Sequence, residues 1–210
     1  MKLLGRLASI NVRKVMWTAS QLDLDLERED WGPGFRSPKE PEYLALNPNG
    51  LIPVLIDNDN DNDNDFVLWE SNSICRYLAT KQYATTLLPT EARARARVDQ
   101  WMDWQGGDLN NSWRIAFMAL VRGQPATPEA IEASVANWNR HMAMLDAQLA
   151  RTGAYVTGED FTLADVVLGL SAQRWQNAPI ERVALPAVQT WLQRLSHRPG
   201  FAEYVGNGMP

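Results

Sequence analysis

The chain reads as an α/β unit followed by an all-helical unit, and three observations predict this. Short apolar runs of strand length occur only before Tyr83. Beyond Tyr83 the apolar residues recur at the helical period. A connection near residues 83–90 separates the two patterns, so the predicted domains are 1–82 and 90–210.

The first domain opens with a short strand at Lys2-Leu3-Leu4. The loop from Gly5 to Ile10 leads into a helix predicted from Asn11 to Leu22, with Val12, Val15, Met16 and Ala19 on one face. Leu24-Asp25-Leu26-Glu27 alternates like a second strand. Gly32 to Pro41, rich in Pro, Gly and charge, reads as a surface loop. Two apolar strands follow, Leu51–Ile56 and Phe66–Trp69, and then a helix beginning at Ser71. In the second domain Val98, Trp101, Leu109, Trp113, Phe117 and Leu120 fit one long helix, or two joined near Gly106-Gly107. Thr127-Pro128 starts another helix, with threonine as N-cap and proline at the first helical position. Its apolar stripe is Ile131, Val135, Trp138, Met142, Leu145 and Leu149. Thr162-Leu163-Ala164-Asp165 is a capping box with Phe161 and Val166 placed as a hydrophobic staple. A last helix runs from Pro186 to His197.

Composition narrows the function classes. An apolar share of 45% with nine tryptophans suits a packed globular chain. The formal net charge is −5, and the chain outside the Asp/Asn run Asp57–Asp65 is neutral. Neither nucleic acid nor an anionic membrane finds an electrostatic footprint there. The single cysteine, Cys75, leaves no disulfide framework and no cysteine metal cluster. A start without an apolar leader and the absence of a long apolar run predict a protein of the reducing cytoplasm.

The stretch richest in chemistry is Asn47-Pro48-Asn49-Gly50-Leu51-Ile52-Pro53-Val54, followed by Trp69-Glu70-Ser71. Proline cannot donate a ladder hydrogen bond, so Pro53 belongs at an edge, a bulge or a cis turn entering the strand. That leaves the Ile52 N–H and C=O for an extended, peptide-like ligand. Glu70-Ser71 delivers an acid and a hydroxyl at a helix start, where free N–H groups favour a carboxylate. An acid for an ammonium beside a carboxylate site describes the α-amino-acid end of a small peptide.

Together the element order, Asn47-Pro48-x-Gly50-x-Ile52-Pro53, Glu70-Ser71 and Thr162-x-x-Asp165 resemble the cytosolic glutathione transferase family over essentially the whole chain. That resemblance implies an N-terminal thioredoxin-like domain, a C-terminal helical bundle and a homodimer. The first loop, Ser9-Ile10-Asn11-Val12-Arg13, is similar to the theta, zeta and nu patterns of bacterial members. It implies glutathione as cosubstrate, its γ-glutamyl end on Glu70 and Ser71 and its cysteinyl backbone on Ile52 before Pro53. Ser9 maps onto the thiol-activating hydroxyl, with Asn11 as a second donor. Asp103 maps onto an acid that reaches the glutathione ammonium from a partner subunit. Leu7, Trp113, Arg114 and Phe117 are nominated for the electrophile pocket. The activity implied is attack of the glutathione thiol on a small hydrophobic electrophile. A glutathione-dependent disulfide or peroxide reductase and a non-catalytic scaffold with the same fold are the alternatives.

Blander roles stand beside these. Ser9 also reads as the N-cap of its helix, Asn11 as a cap or turn residue, and Glu70 as a surface acid. Trp113 and Phe117 at helical spacing equally serve a core, and Cys75 reads as a buried small hydrophobe. The first loop holds no cysteine, which excludes a mixed disulfide with glutathione there. The Asp57–Asp65 run reads as a solvated hairpin extension. From Asp59 it also mimics a calcium loop ending at Glu70, but its flanking strands argue against that and no metal is expected.

Overall fold

The structure is a computed structural model that describes residues 1–58 and 65–209. It divides into two compact units, Met1–Ala84 and Thr85–Pro210.

The first unit contains β1 (Lys2–Leu4), α1 (Ile10–Gln21), β2 (Glu27–Glu29), α2 (Pro41–Leu46), β3 (Val54–Asp57), β4 (Phe66–Trp69) and α3 (Ser71–Lys81). The sheet order is β2-β1-β3-β4, with β1 parallel to β2 and antiparallel to β3, and β3 antiparallel to β4. β1 and β3 are the central strands, and this explains their apolar character. Leu4 and Val54 pair across the ladder and pack with Trp31 and Tyr43 on one face. Leu3 and Leu55 pair on the opposite face and are fully buried. So are Val12 and Val15 of α1 and Ile74 and Leu78 of α3, two helices that pack on each other.

Three local expectations shift. β2 forms at Glu27–Glu29, later than the Leu24–Glu27 alternation predicted, because Lys2↔Glu27 sets the register with β1. The Lys2 ammonium sits 3.2 Å from Glu27 and 3.4 Å from Glu29 across that pairing. The loop predicted to end at Pro41 runs straight into α2, too short to show a period, with Pro41 in its first turn and Tyr43 as its buried residue. Asp57 is a ladder residue paired with Phe66, not part of a solvated turn. Its carboxylate is buried and accepts from the Tyr77 hydroxyl at 2.5 Å and the Lys81 ammonium at 2.6 Å. The calcium-loop positions Asp59, Asp61 and Asp63 lie outside the described residues.

The second unit holds α4 (Ala92–Trp104), a π-helical segment (Gln105–Leu109), α5 (Asn110–Leu120), α6 (Pro128–Thr152), α7 (Leu163–Asn177), α8 (Pro186–Leu195) and α9 (Phe201–Tyr204). The predicted join at Gly106-Gly107 is neither a break nor a plain helix. The wider π turn re-aims the face of α5 relative to α4. Buried Gln105 then donates to Ser171 of α7 at 3.0 Å. α6 starts as read, with Thr127 Oγ1 accepting from the Ala130 N–H and Pro128 in the first turn. On its stripe Trp138, Met142, Leu145 and Leu149 are buried, whereas Ile131 and Val135 are half-buried. Buried Ser134 takes part of that face instead, donating to the Ser112 carbonyl at 2.8 Å so that α5 approaches closely.

α7 is the core helix, buried around nearly its whole circumference. Its capping box is present. Asp165 accepts from the Thr162 N–H at 2.9 Å and its hydroxyl at 3.1 Å. It also accepts from the Val156 N–H and the Trp191 indole, each at 2.9 Å. Burial pushes this carboxyl up to about 6 against the pull of those donors. Among the described residues no helix is long and apolar enough to cross a membrane.

Candidate functional site

The ladder ends with the row Leu4, Val54 and Trp69, so Gly5, Pro53 and Glu70 come next at the same end of the sheet. Each leads into a segment carrying a predicted site residue. A side chain at Gly5 would put Cβ 2.6 Å from Val12 Cγ2 and 3.3 Å from Ile52 Cβ. Glycine there lets the first loop and the start of α1 close against the Ile52-Pro53 turn.

Ser9 is the N-cap of α1 by backbone conformation, and its carbonyl accepts from the Arg13 N–H at 3.0 Å. Its side chain makes no capping bond, so the hydroxyl is not spent in the role the local sequence offered. Ser9 and Asn11 are both half-buried.

The Ile52-Pro53 peptide bond is cis. The preceding carbonyl, Leu51, accepts from the Tyr43 hydroxyl at 2.9 Å and the Asn47 amide at 2.7 Å. Asn47 is itself buried and turns its oxygen to the Asn49 N–H at 3.1 Å. Tyr43 and Asn47 thereby hold the turn that presents Ile52, a role not assigned to either from the sequence. The Ile52 N–H and C=O pair with no other described residue.

Glu70 sits between β4 and α3 at φ 72° and ψ 109°, a region that non-glycine residues rarely occupy. Such backbone costs of order 1–3 kcal/mol and clusters at ligand sites. Its carbonyl opens α3 by accepting from Ile74 at 2.9 Å, and its side chain is exposed. Ser71 beside it is 6% exposed, at the N-terminal turn where backbone N–H groups lack helical partners.

Three cations of this unit escaped the sequence reading. Arg13 and Lys14 are 1% and 2% exposed, where a helical pattern offers no sign that charges are buried. Lys14 donates to Asn72 Oδ1 at 3.2 Å. Exposed Lys39 donates to the Asn49 carbonyl at 2.9 Å and lies against Gly50.

The remaining nominees are scattered. Leu7 is half-buried in the first unit. In the second, Phe117 is 3% exposed and serves the core reading, with the Arg174 guanidinium 4.2 Å from its ring. Half-buried Trp113 lies 4.7 Å from the same guanidinium, and its indole nitrogen is buried with no described partner. Arg114 points elsewhere, lining a shallow depression with Ile115, Met118 and Gln124. Asp103 is exposed on α4. Cys75 is buried, and burial pushes its thiol up to about 11.

Comparison with known proteins identifies the family. The profile of the glutathione S-transferase N-terminal domain matches residues 8–81, and that of the C-terminal domain matches residues 128–194. The chain belongs to the glutathione S-transferase family. It is 35% identical over 203 residues to glutathione S-transferase GstB of Escherichia coli, covering 96% of this chain and 95% of that one. It is 31% identical over 187 residues to the disulfide-bond oxidoreductase YfcG of the same species, covering 88% and 84%. Among solved structures, a theta class glutathione S-transferase from Xanthomonas axonopodis pv. citri, with glutathione bound, gives a TM-score of 0.87. It is 37% identical over 100% of this chain and 98% of that one.

Proposed function

We propose that this enzyme binds glutathione along the Gly5–Pro53–Glu70 end of the sheet and ionises its thiol at Ser9. The thiolate then attacks a small hydrophobic electrophile by substitution or addition. The observation that carries the reading is a set of uncommitted groups at one sheet end: the Ile52 backbone pair, the exposed Glu70 carboxylate and the uncapped Ser9 hydroxyl. The neighbour solved with glutathione bound supports the choice of ligand.

Each group has a task. Ile52 pairs with the extended cysteinyl backbone, Glu70 holds the ammonium, and Ser71 with the first N–H groups of α3 holds the α-carboxylate. A free thiol has a pKa near 8.5, and lowering it by about two units takes roughly 2.7 kcal/mol of preferential thiolate stabilisation. A charge-assisted O–H···S bond from Ser9, aided by Asn11 and the N-terminal end of α1, matches that order of energy. Lys39 is placed to meet a further ligand carboxylate beyond Ile52.

The protein acts as a homodimer in this reading. Leu51 and Trp69 leave 61% and 37% of their surface exposed on the first unit, and Phe66, on the opposite face of β4, leaves 46%, apolar area of the kind a two-fold partner covers. Exposed Asp103 is the acid offered to a neighbouring subunit's glutathione. Trp113 is kept as an electrophile-side residue of the second unit, where its buried indole N–H has no described partner.

Disulfide or peroxide reduction is the second reading, favoured by the likeness to YfcG. Both redox thiols would then come from glutathione, because Cys75 is buried with a raised pKa. A glutathione-binding assay run beside an alkyl halide, an aryl halide, a hydroperoxide and a mixed disulfide separates the readings. Turnover of a halide supports transfer, and turnover of the last two alone supports reduction. Absence of glutathione binding would remove both.

A further inference from the structure

We propose that Lys14 and Asn72 are positioning residues that fix the separation between the thiol end and the γ-glutamyl end of the glutathione site. The proposal rests on the assignment of Ser9 and of Glu70-Ser71 made above.

Lys14 lies in the second turn of the helix that Ser9 opens, and Asn72 follows Ser71 in the first turn of α3. Their hydrogen bond, 3.2 Å from Nζ to Oδ1, joins the two helix starts that flank the ligand. Lysine is almost never fully buried unless paired, yet Lys14 is 2% exposed. An apolar residue would fill the same place between α1 and α3 without desolvating an ammonium. What the ammonium adds is a directed bond that sets the register of one helix against the other. The Thr18 hydroxyl donates to the Lys14 carbonyl at 2.9 Å, anchoring the same turn from within α1. The surroundings are polar on both helices: Arg13 is buried next to Lys14, and the buried Cys75 thiol feels Lys14 from α1 and Arg76 from its own helix.

The two-point attachment of glutathione makes this separation matter. Its γ-glutamyl end follows α3 and its sulfur must meet a hydroxyl carried by α1. A misplacement of about 1 Å at a reacting group costs on the order of a hundredfold in rate. Loosening the strut therefore affects the sulfur first, while the α3 contacts persist.

The test measures thiolate absorbance of bound glutathione against pH, together with its dissociation constant, in Lys14→Met, Asn72→Ala and the double variant. Each single variant is expected to raise the ionisation midpoint by about one pH unit, roughly a threefold loss of thiolate at neutral pH, with affinity within about threefold. Lys14→Arg and Asn72→Asp keep a donor and an acceptor and should return toward the parent midpoint. In its ionisation midpoint the double variant should match the more impaired single variant, because both single changes break the same Lys14–Asn72 bond. Asn72 is half-buried on a helix, so Asn72→Ala carries the test if Lys14→Met does not fold. Variants that lose thermal stability but ionise glutathione at the parent midpoint would show the bond to be structural only and overturn the proposal. A parent chain that does not bind glutathione would overturn the site assignment, and this proposal with it.

Discussion

Glu70 carries opposite demands from folding and from binding, and replacing it by glycine and by alanine separates them. At φ 72° and ψ 109° its backbone is strained, by about 1–3 kcal/mol for a residue with a Cβ. Its side chain makes no capping bond, so truncation removes no contact that holds α3. Glu70→Ala keeps the strain and is expected to leave stability within about 0.5 kcal/mol of the parent. Glu70→Gly relieves the strain and costs about 0.4–1 kcal/mol through the freer unfolded chain. The glycine variant should therefore exceed the alanine variant by about 1 kcal/mol, or roughly 2–4 °C in melting temperature for a chain of this size. Both lose the carboxylate that would hold the ammonium, so both should bind glutathione more weakly by about 1.5–3 kcal/mol, roughly ten- to a hundredfold. Thermal melts and calorimetric titration of the two proteins read these quantities separately. A glycine variant that melts below the alanine variant refutes the strain argument, and parent-like affinity in either refutes the ligand assignment.

Other consequences can be checked with single variants. Asp165→Ala strands four buried donors, from Val156, Trp191 and Thr162, and should cost about 3–5 kcal/mol, seen as a large drop in melting temperature with little change in the glutathione affinity of whatever folds. Cys75 should resist thiol reagents in the native state and react only on unfolding, since it is buried and its pKa is raised to about 11; rapid native labelling would contradict this. Asp57 is pushed up by burial, but the bonds from Lys81 and Tyr77 outweigh that and hold it below its usual 3.8. Its folded value lies below its unfolded one, so the stabilisation is complete above 3.8 and is lost as pH falls through the folded value. The stability gap between the parent and Asp57→Asn should be constant at neutral pH and close only in acid; a gap that closes above pH 5, about a unit above the unfolded value, would contradict the pairing.

What could be read beforehand was local chemistry with a rigid geometric consequence. Pro53 inside an apolar run implied an interrupted strand, Thr127-Pro128 a helix start, and Thr162 with Asp165 a reciprocal cap; each is present. What escaped depends on distant partners. β2 sits where Lys2 and β1 place it, and α2 is too short to carry a period. The π turn at Gln105–Leu109 comes with a Gln105–Ser171 bond between residues 66 positions apart. Lys14 is buried with a bond to Asn72, 58 residues away, which nothing in either residue's own neighbourhood announces. Around the candidate site, the open backbone at Ile52 and the helix start at Glu70-Ser71 could be anticipated, because a strand end and a helix start expose backbone groups whatever the wider fold does. The nominees on α5 could not be sorted beforehand, since Trp113 and Phe117 share the Arg174 guanidinium whereas Arg114 lines a separate depression.

Ser9 is assigned to ionise the glutathione thiol, and the ultraviolet absorbance of the thiolate in the binary complex, titrated against pH, reads that step itself. In the parent chain the midpoint should fall about two units below that of free glutathione. In Ser9→Ala it should return close to the free value, with glutathione affinity within a few-fold of the parent. A Ser9→Ala complex that still ionises at the parent's midpoint would contradict the account.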